Sequence, residues 1–316
     1  MNRRALLAAL PLATAAAAAE PPSLVERLGY PANTRLLNIH IDDIGMSHSA
    51  NAASIEALTK GIGSSGSVMV PCPWFVEIAQ WWKQNSSADL GLHLTLTSEW
   101  QRYRWGPTAP RERVPGLLDP EGYLWRSEQD VVKHASPAEV ELEIRTQIRR
   151  ARQFGLEPTH IDSHMGTLFS DPRFFEVYVR VGQEMGVLPM VMEPTVETVA
   201  AAKALDIDYP VLAARLKKQS LVLIDRLNTG LKGRTLEERQ ASFRDVVTGL
   251  KPGVTELIVH LSMDDPEIRN ITGNWEARFS DYRILMDSEM KRFLEQNGVK
   301  LVGYRPLMDL WKKKRT

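Results

Sequence analysis

The chain reads as an α/β protein of the (β/α) type, a distorted TIM-like barrel, and three observations predict this. Short apolar runs recur along the chain with helical patterns between them. The runs are continuously apolar rather than alternating, and titratable residues gather at their carboxyl ends. Continuous apolar strands separated by helices belong to a parallel sheet covered on both faces. About eight such runs over this length point to a (β/α) barrel, where the carboxyl ends of the strands converge on one mouth. An open doubly wound sheet is the alternative. No Gly-x-Gly-x-x-Gly follows the first strand, which weakens a dinucleotide-binding reading.

The chain opens with Asn2-Arg3-Arg4, an Ala/Leu run from Ala5 to Ala16, and Ala17-Ala18-Ala19 before Glu20. A short basic start, an apolar run and a small-residue cleavage site read as a signal peptide over residues 1–19. The run is too short and alanine-rich for a good membrane span, so no stable membrane insertion is expected once it is removed. Arg3-Arg4 also fits twin-arginine export. Residues 20–316 are expected to form one barrel domain, periplasmic or secreted.

The expected strands are Leu36–Ile41, Ser67–Val70, Leu90–Leu96, Thr159–Ser163, Leu188–Met192, Leu221–Ile224, Glu256–Leu261 and Lys300–Tyr304. Helical patterns cover Ala50–Lys60, Ala138–Phe154, Asp171–Met185, Leu236–Leu250 and Asp281–Asn297. Two stretches read as insertions, near 99–125 and 200–232, and long loops in a compact domain are usually functional or disordered. The first holds Trp100, Tyr103, Trp105, Tyr123 and Trp125. These aromatics either stack on sugar rings or simply pack the loop.

The 316 residues carry 39 basic and 39 acidic side chains, a balance that argues against a nucleic-acid surface. Hydrophobic residues make up 43% and charged residues 25%, enough for a sizeable core. Cys72 is the only cysteine, so an intrachain disulfide and a cysteine-based metal site are both excluded. Nothing in the sequence sets the oligomeric state.

The first strand ends in Asp42-Asp43-Ile44-Gly45. Adjacent carboxylates resist burial unless a cation sits between them or one keeps a proton. Partners lie at other strand ends: His93, His164 and His260. Asp43, His93 and His164 would meet at the mouth from three strands. Two imidazoles and a carboxylate leave coordination positions open, the pattern of a catalytic metal. Imidazole favours Zn over Mg, and the sequence leaves the choice between them open. His160, Asp162 and His164 alternate by two and so share one side of a strand. His164 would lie nearest the rim, with Asp162 and His160 deeper and able to orient a ligand. The competing assignment makes both His160 and His164 ligands. Taken singly, each histidine fits an ordinary core position.

The chain resembles the YdjC/ChbG/HpnK-type carbohydrate deacetylases. The resemblance rests on Asp42-Asp43-Ile44-Gly45, Ser67-Val68-Met69-Val70, Gly91-Leu92-His93-Leu94-Thr95-Leu96-Thr97, His160-Ile161-Asp162-Ser163-His164 and Glu256-Leu257-Ile258-Val259-His260, in the family's order. It implies a distorted barrel that uses a divalent metal to remove acetyl groups from an N-acetylated saccharide. By position, Asp43, His93 and His164 would bind the metal, Asp42 would act as general base and His260 as general acid. Two departures bear on the substrate pocket: Gly166 stands where many members place a second histidine, and Leu261-Ser262-Met263 follows His260 where many have Pro-Gly. The rival readings are a metal-dependent hydrolase of a phosphoester or non-sugar amide, with Arg102 and Arg104 as its cations, and a non-catalytic sugar-binding protein.

Overall fold

The computed structural model describes residues 22–313; the expected signal peptide lies outside the described residues. Eight strands form one sheet: β1 Arg35–Ile44, β2 Ser65–Val68, β3 Leu90–Leu94, β4 His160–Ser163, β5 Leu188–Pro189, β6 Arg226–Asn228, β7 Gly253–His260 and β8 Val299–Leu301. Their order is β5-β4-β3-β2-β1-β7-β6, with β8 beside the start of β1. Every pairing is parallel. A single bridge between Met192 and Ile224 ties the chain after β5 to the chain before β6. The sheet thus curls into a distorted (β/α) barrel, as the sequence predicts, and the open doubly wound alternative falls away.

The alternation along β1 explains what fills the barrel. Leu37, Ile39 and Ile41 are buried among the apolar core, while Asn38, His40 and Asp42 are buried with polar partners from other strands. The inner face is therefore polar, and register decides which groups meet. Asp42 lies beside His260 across β1 and β7, and His93 beside Asp162 across β3 and β4. Gly91 is required by this packing: a Cβ there would come within 2.4 Å of the His160 ring.

The helices match the predicted patterns closely at Ala50–Lys60, Ala138–Phe154, Asp171–Met185 and Leu236–Leu250, observed as His48–Thr59, Pro137–Gln153, Pro172–Met185 and Leu236–Gly249. Three elements differ. The stretch expected as one helix over Asp281–Asn297 is two, Trp275–Met286 and Ser288–Gln296, because the Asp287 side chain accepts the Glu289 N–H and caps the second. The run Leu221–Ile224 is buried but pairs only at Ile224; β6 follows it, where Arg226–Asn228 reaches β7. At the C-terminal end, β8 stops at Leu301 and Tyr304 starts the helix Tyr304–Lys313. The insertion near 200–232 holds the second half of the helix Val196–Lys203 and all of Tyr209–Lys218.

Candidate metal centre and active site

Asp42 and Asp43 are consecutive, so a regular strand would send them to opposite faces. The backbone prevents this. Asp43 adopts φ +62°, and the β1–β2 register is irregular between Ile41 and Ile44. Both carboxylates consequently line one pocket of about 410 Å³. A non-glycine residue in the left-handed region costs about 1–3 kcal/mol, strain of the kind that collects at functional sites.

Asp43 Oδ1 lies 3.5 Å from His93 Nε2 and 3.4 Å from His164 Nδ1. It is buried and has no hydrogen-bond partner. The outer nitrogens set the tautomers. His93 Nδ1 is 2.6 Å from Asp162 Oδ1, and His164 Nε2 is 3.0 Å from Glu99 Oε2. Each imidazole thus donates outward to a carboxylate and turns a lone pair inward, the arrangement that orients a metal-binding histidine. Three lone pairs facing one another repel unless a cation lies between them. The donor set of Asp43, His93 and His164 fits a divalent metal, and nitrogen donors suit Zn.

The electrostatics show what occupies the cluster in place of a cation. Asp43 is fully buried, which opposes its charge, but Arg278 with His164 and His260 hold its carboxyl well below the usual range. The guanidinium of Arg278 donates to Asp43 Oδ2 at 2.6 Å. Burial also opposes a charge on His164, yet Glu99 and Asp43 push its pKa up to about 10. His93 is raised against its own burial by Asp42 and Asp162. Without a metal the cluster holds protons instead, which a binding cation must displace.

Asp42 sits beside this trio. Its Oδ1 accepts from Ser67 at 3.2 Å and lies 3.2 Å from His40 Nε2, while Oδ2 is 3.8 Å from His93 Nε2. His260 is half-buried on the neighbouring strand β7, with Nε2 4.0 Å from Asp43 Oδ2 and its backbone N–H donated to Asp281. Burial lowers its pKa, with Asp43 opposing and Arg278 reinforcing.

Beneath the mouth lies a second layer. His40 joins Ser65 at 2.7 Å and Asp162 at 3.0 Å, so Asp162 links His40 to His93. His160 stacks on Tyr304 with centroids 3.7 Å apart. Tyr304 and Asn38 both donate to Glu256, at 2.5 and 3.1 Å, and burial pushes that carboxyl up to about 7 against the pull of His40.

The structure therefore brings together all five residues named from the sequence, and puts Asp162 in the orienting position expected of it. His160 belongs to the deeper layer, away from Asp43. Sequence reasoning gave His40 no assigned role and missed Glu99 and Arg278. An arginine inside a helix reads as a surface residue, and no local signal marks it. Of the aromatics in the first insertion, Trp105 and Trp125 pack structurally, donating to Thr97 O and Gly116 O. Arg104 is consumed by Asp119 at 2.6 Å, which removes one of the two cations a phosphoester reading needs.

Residues 36–296 match the family described as YdjC-like protein. Over 273 residues the chain is 33% identical to a carbohydrate deacetylase of Thermus thermophilus, covering 86% of this chain and 94% of that protein. It is 26% identical over 280 residues to a chitooligosaccharide deacetylase of Yersinia enterocolitica, covering 85% and 98%. Among solved structures, a protein of Enterococcus faecalis V583 named for cellobiose-phosphate cleavage superposes with a TM-score of 0.72 at 22% identity, over 87% of this chain and 99% of that one. That likeness speaks to the fold alone.

Proposed function

This chain belongs to the YdjC-like protein family, and on that premise we propose that it is a metal-dependent deacetylase of an N-acetylated saccharide. The observation that carries the reading is the convergence of three inward lone pairs, from Asp43, His93 and His164, around the unpartnered Asp43 Oδ1. The names of the relatives from Thermus and Yersinia support the reaction class. A divalent ion, Zn or Mg, would be held by those three residues and would supply Lewis acidity for activating water and polarising an amide carbonyl.

The chain's own groups do the rest. Asp42, fixed through Oδ1 by Ser67 and His40, has Oδ2 free to take a proton from the attacking water. The water oxygen bonds to the carbonyl carbon, the C–N bond breaks, and acetate and an amine leave. His260, the register partner of Asp42 on the adjacent strand β7, would protonate the departing amine. Arg278 keeps Asp43 ionised and aimed at the ligand position. The Arg3-Arg4 start and the alanine-rich run after it support export to the periplasm or beyond.

The test is acetate release from N-acetylglucosamine oligomers by protein stripped and reloaded with Zn, Mg, Mn or Co. Asp42→Asn should lower kcat by about 10²–10⁴, the usual worth of a general base, while metal binding stays intact. Full activity in that variant would remove Asp42 as the base.

A further inference from the structure

The guanidinium of Arg278 carries a nitrogen that the metal centre leaves unused. Arg278 and Asp281 stand three apart in the helix Trp275–Met286, so they share a face. Asp281 docks that face at the end of β7. It accepts the His260 backbone N–H at 3.3 Å and takes Arg239 on both oxygens at 2.7 Å. Arg278 is thereby set beside the mouth at 8% exposure, with Nη2 donating to Asp43 Oδ2 and Cζ 5.8 Å from the centre of the Trp100 ring. Its Nη1 is buried and has no hydrogen-bond partner. A guanidinium is a rigid planar fork, so the Nη2 bond and the Trp100 ring together fix Nη1 as well. A buried charged donor without an acceptor is costly, and native structures seldom keep one without a use for it.

The pocket it borders supplies that use. Arg278 is the one Arg or Lys among the residues lining the catalytic pocket. Five carboxyl groups line the same space: Asp42, Asp43, Glu99, Asp162 and Glu256. His93 and His164 turn lone pairs inward as well. The space is thus rich in acceptors and poor in donors. Attack of water on an amide adds negative charge at the carbonyl oxygen, which such surroundings oppose. A fixed N–H aimed where that charge develops is the largest single aid a site can offer.

We propose that Arg278 Nη1 donates to the carbonyl oxygen of the scissile acetyl group and stabilises the oxyanion that forms there. Arg278 is then a catalytic residue through Nη1 and a positioning residue for Asp43 through Nη2. The proposal rests on the deacetylase reading above. As the water oxygen bonds to the carbonyl carbon, the π pair of the C=O bond moves onto oxygen and strengthens its hydrogen bond to Nη1. No proton leaves the guanidinium. The C=O bond then re-forms, the C–N bond breaks, and the amine leaves with a proton from His260.

Arg278→Lys keeps a cation for Asp43 and loses the fork. With zinc saturating, kcat for an N-acetylglucosamine oligomer should fall about 10²–10³-fold, the usual worth of one oxyanion donor, with KM within about threefold. A misplaced Asp43 would also lower kcat, so a second substrate separates the roles. The N-trifluoroacetyl oligomer forms a less basic oxyanion and depends less on its donor. Its loss in the variant should be smaller by about tenfold or more. Equal losses for the two substrates would leave Arg278 as a positioning residue alone and overturn the proposal. Methylphosphonate, a tetrahedral anion that resembles the hydrated acetyl group, gives a reading without turnover. Its Kd for the zinc-loaded protein should rise about tenfold or more in Arg278→Lys, and an unchanged Kd would also overturn the proposal. Arg278→Gln is read in the same two ways if the lysine variant fails to fold or to load zinc. Zinc-loaded wild type that cleaves no N-acetyl sugar sinks the deacetylase reading, and methylphosphonate then decides alone. Weakened binding in the variant keeps Nη1 as the donor to an anion at the mouth; unchanged binding removes it.

Discussion

At the mouth of the barrel, Asp43, His93 and His164 face one another at 3.4 and 3.5 Å across Asp43 Oδ1, which has no hydrogen-bond partner. One layer deeper, His40, His160 and Asp162 repeat the same composition of two imidazoles and a carboxylate. There His40 is joined to Asp162 at 3.0 Å and to Ser65 at 2.7 Å, and His160 bonds Thr159 at 2.9 Å and stacks on Tyr304, while its Nε2 has no hydrogen-bond partner and lies 3.8 Å from Asp162 Oδ2. Residue type is therefore a poor guide to function in this barrel; the hydrogen count decides. Where donors meet acceptors, as they do around His40, the cluster is tied together as a scaffold, with only His160 Nε2 left open. Where only lone pairs meet, it calls for a cation.

That contrast can be broken at either layer. The largest effect is expected from His93→Ala, which removes an inward lone pair and should weaken Zn binding by more than about a hundredfold, exceeding the usual cost of losing an outer partner. A chelator competition reads this, with circular dichroism confirming the fold. His160→Gln, the matched change below, should leave affinity within about threefold. Equal losses in the two variants would abolish the distinction between the layers.

Asp162→Asn sharpens the comparison, because Asp162 belongs to both layers through His93 and His40. Affinity should fall by about 10–100-fold, the range found when a ligand histidine loses its carboxylate partner. An unchanged affinity would mean that the deeper layer does not orient the mouth.

The smallest effect concerns stability. Glu256 has its pKa raised to about 7 from an ordinary 4.5, so the folded state binds this proton more tightly than the unfolded chain. The resulting stabilisation is complete below about pH 4.5 and is lost as pH rises through about 7. Glu256→Gln keeps the neutral form at all pH values. It should melt a few degrees above wild type at pH 8, at about 2–4 °C per kcal/mol for a large domain, and converge with it near pH 5. A pH-independent difference would show that burial of the charged form is not the cost.

Much of the molecule was legible from residue order alone. Continuous apolar runs gave the parallel barrel, and strand-end chemistry gave Asp42, Asp43, His93, His164 and His260, because both are local signals of period and residue type. The alternation of His160, Asp162 and His164 put Asp162 below the mouth, and in the structure it bonds the outer nitrogen of His93. The weakest strand readings were at the chain's later elements, where Leu221–Ile224 is buried but pairs only at Ile224, and Lys300–Tyr304 is partly exposed and pairs only at its start. Burial makes a run apolar; pairing needs a neighbour, and the run does not name one.

What the sequence by itself determined is the inventory of the site and the sheet that carries it: which groups can bind a cation, and which strand ends hold them. Only the tertiary structure decided how that inventory is used. The left-handed turn at Asp43 sets two adjacent acids in one pocket against the strand's own alternation. Arg278 reaches Asp43 from a helix 235 residues away, and Glu99 folds back onto His164. The two helices of the second insertion close an apolar cavity beside the mouth. Apart from the turn at Asp43, each of these depends on approach between segments separate in the chain, a property of packing and register that no local periodicity encodes.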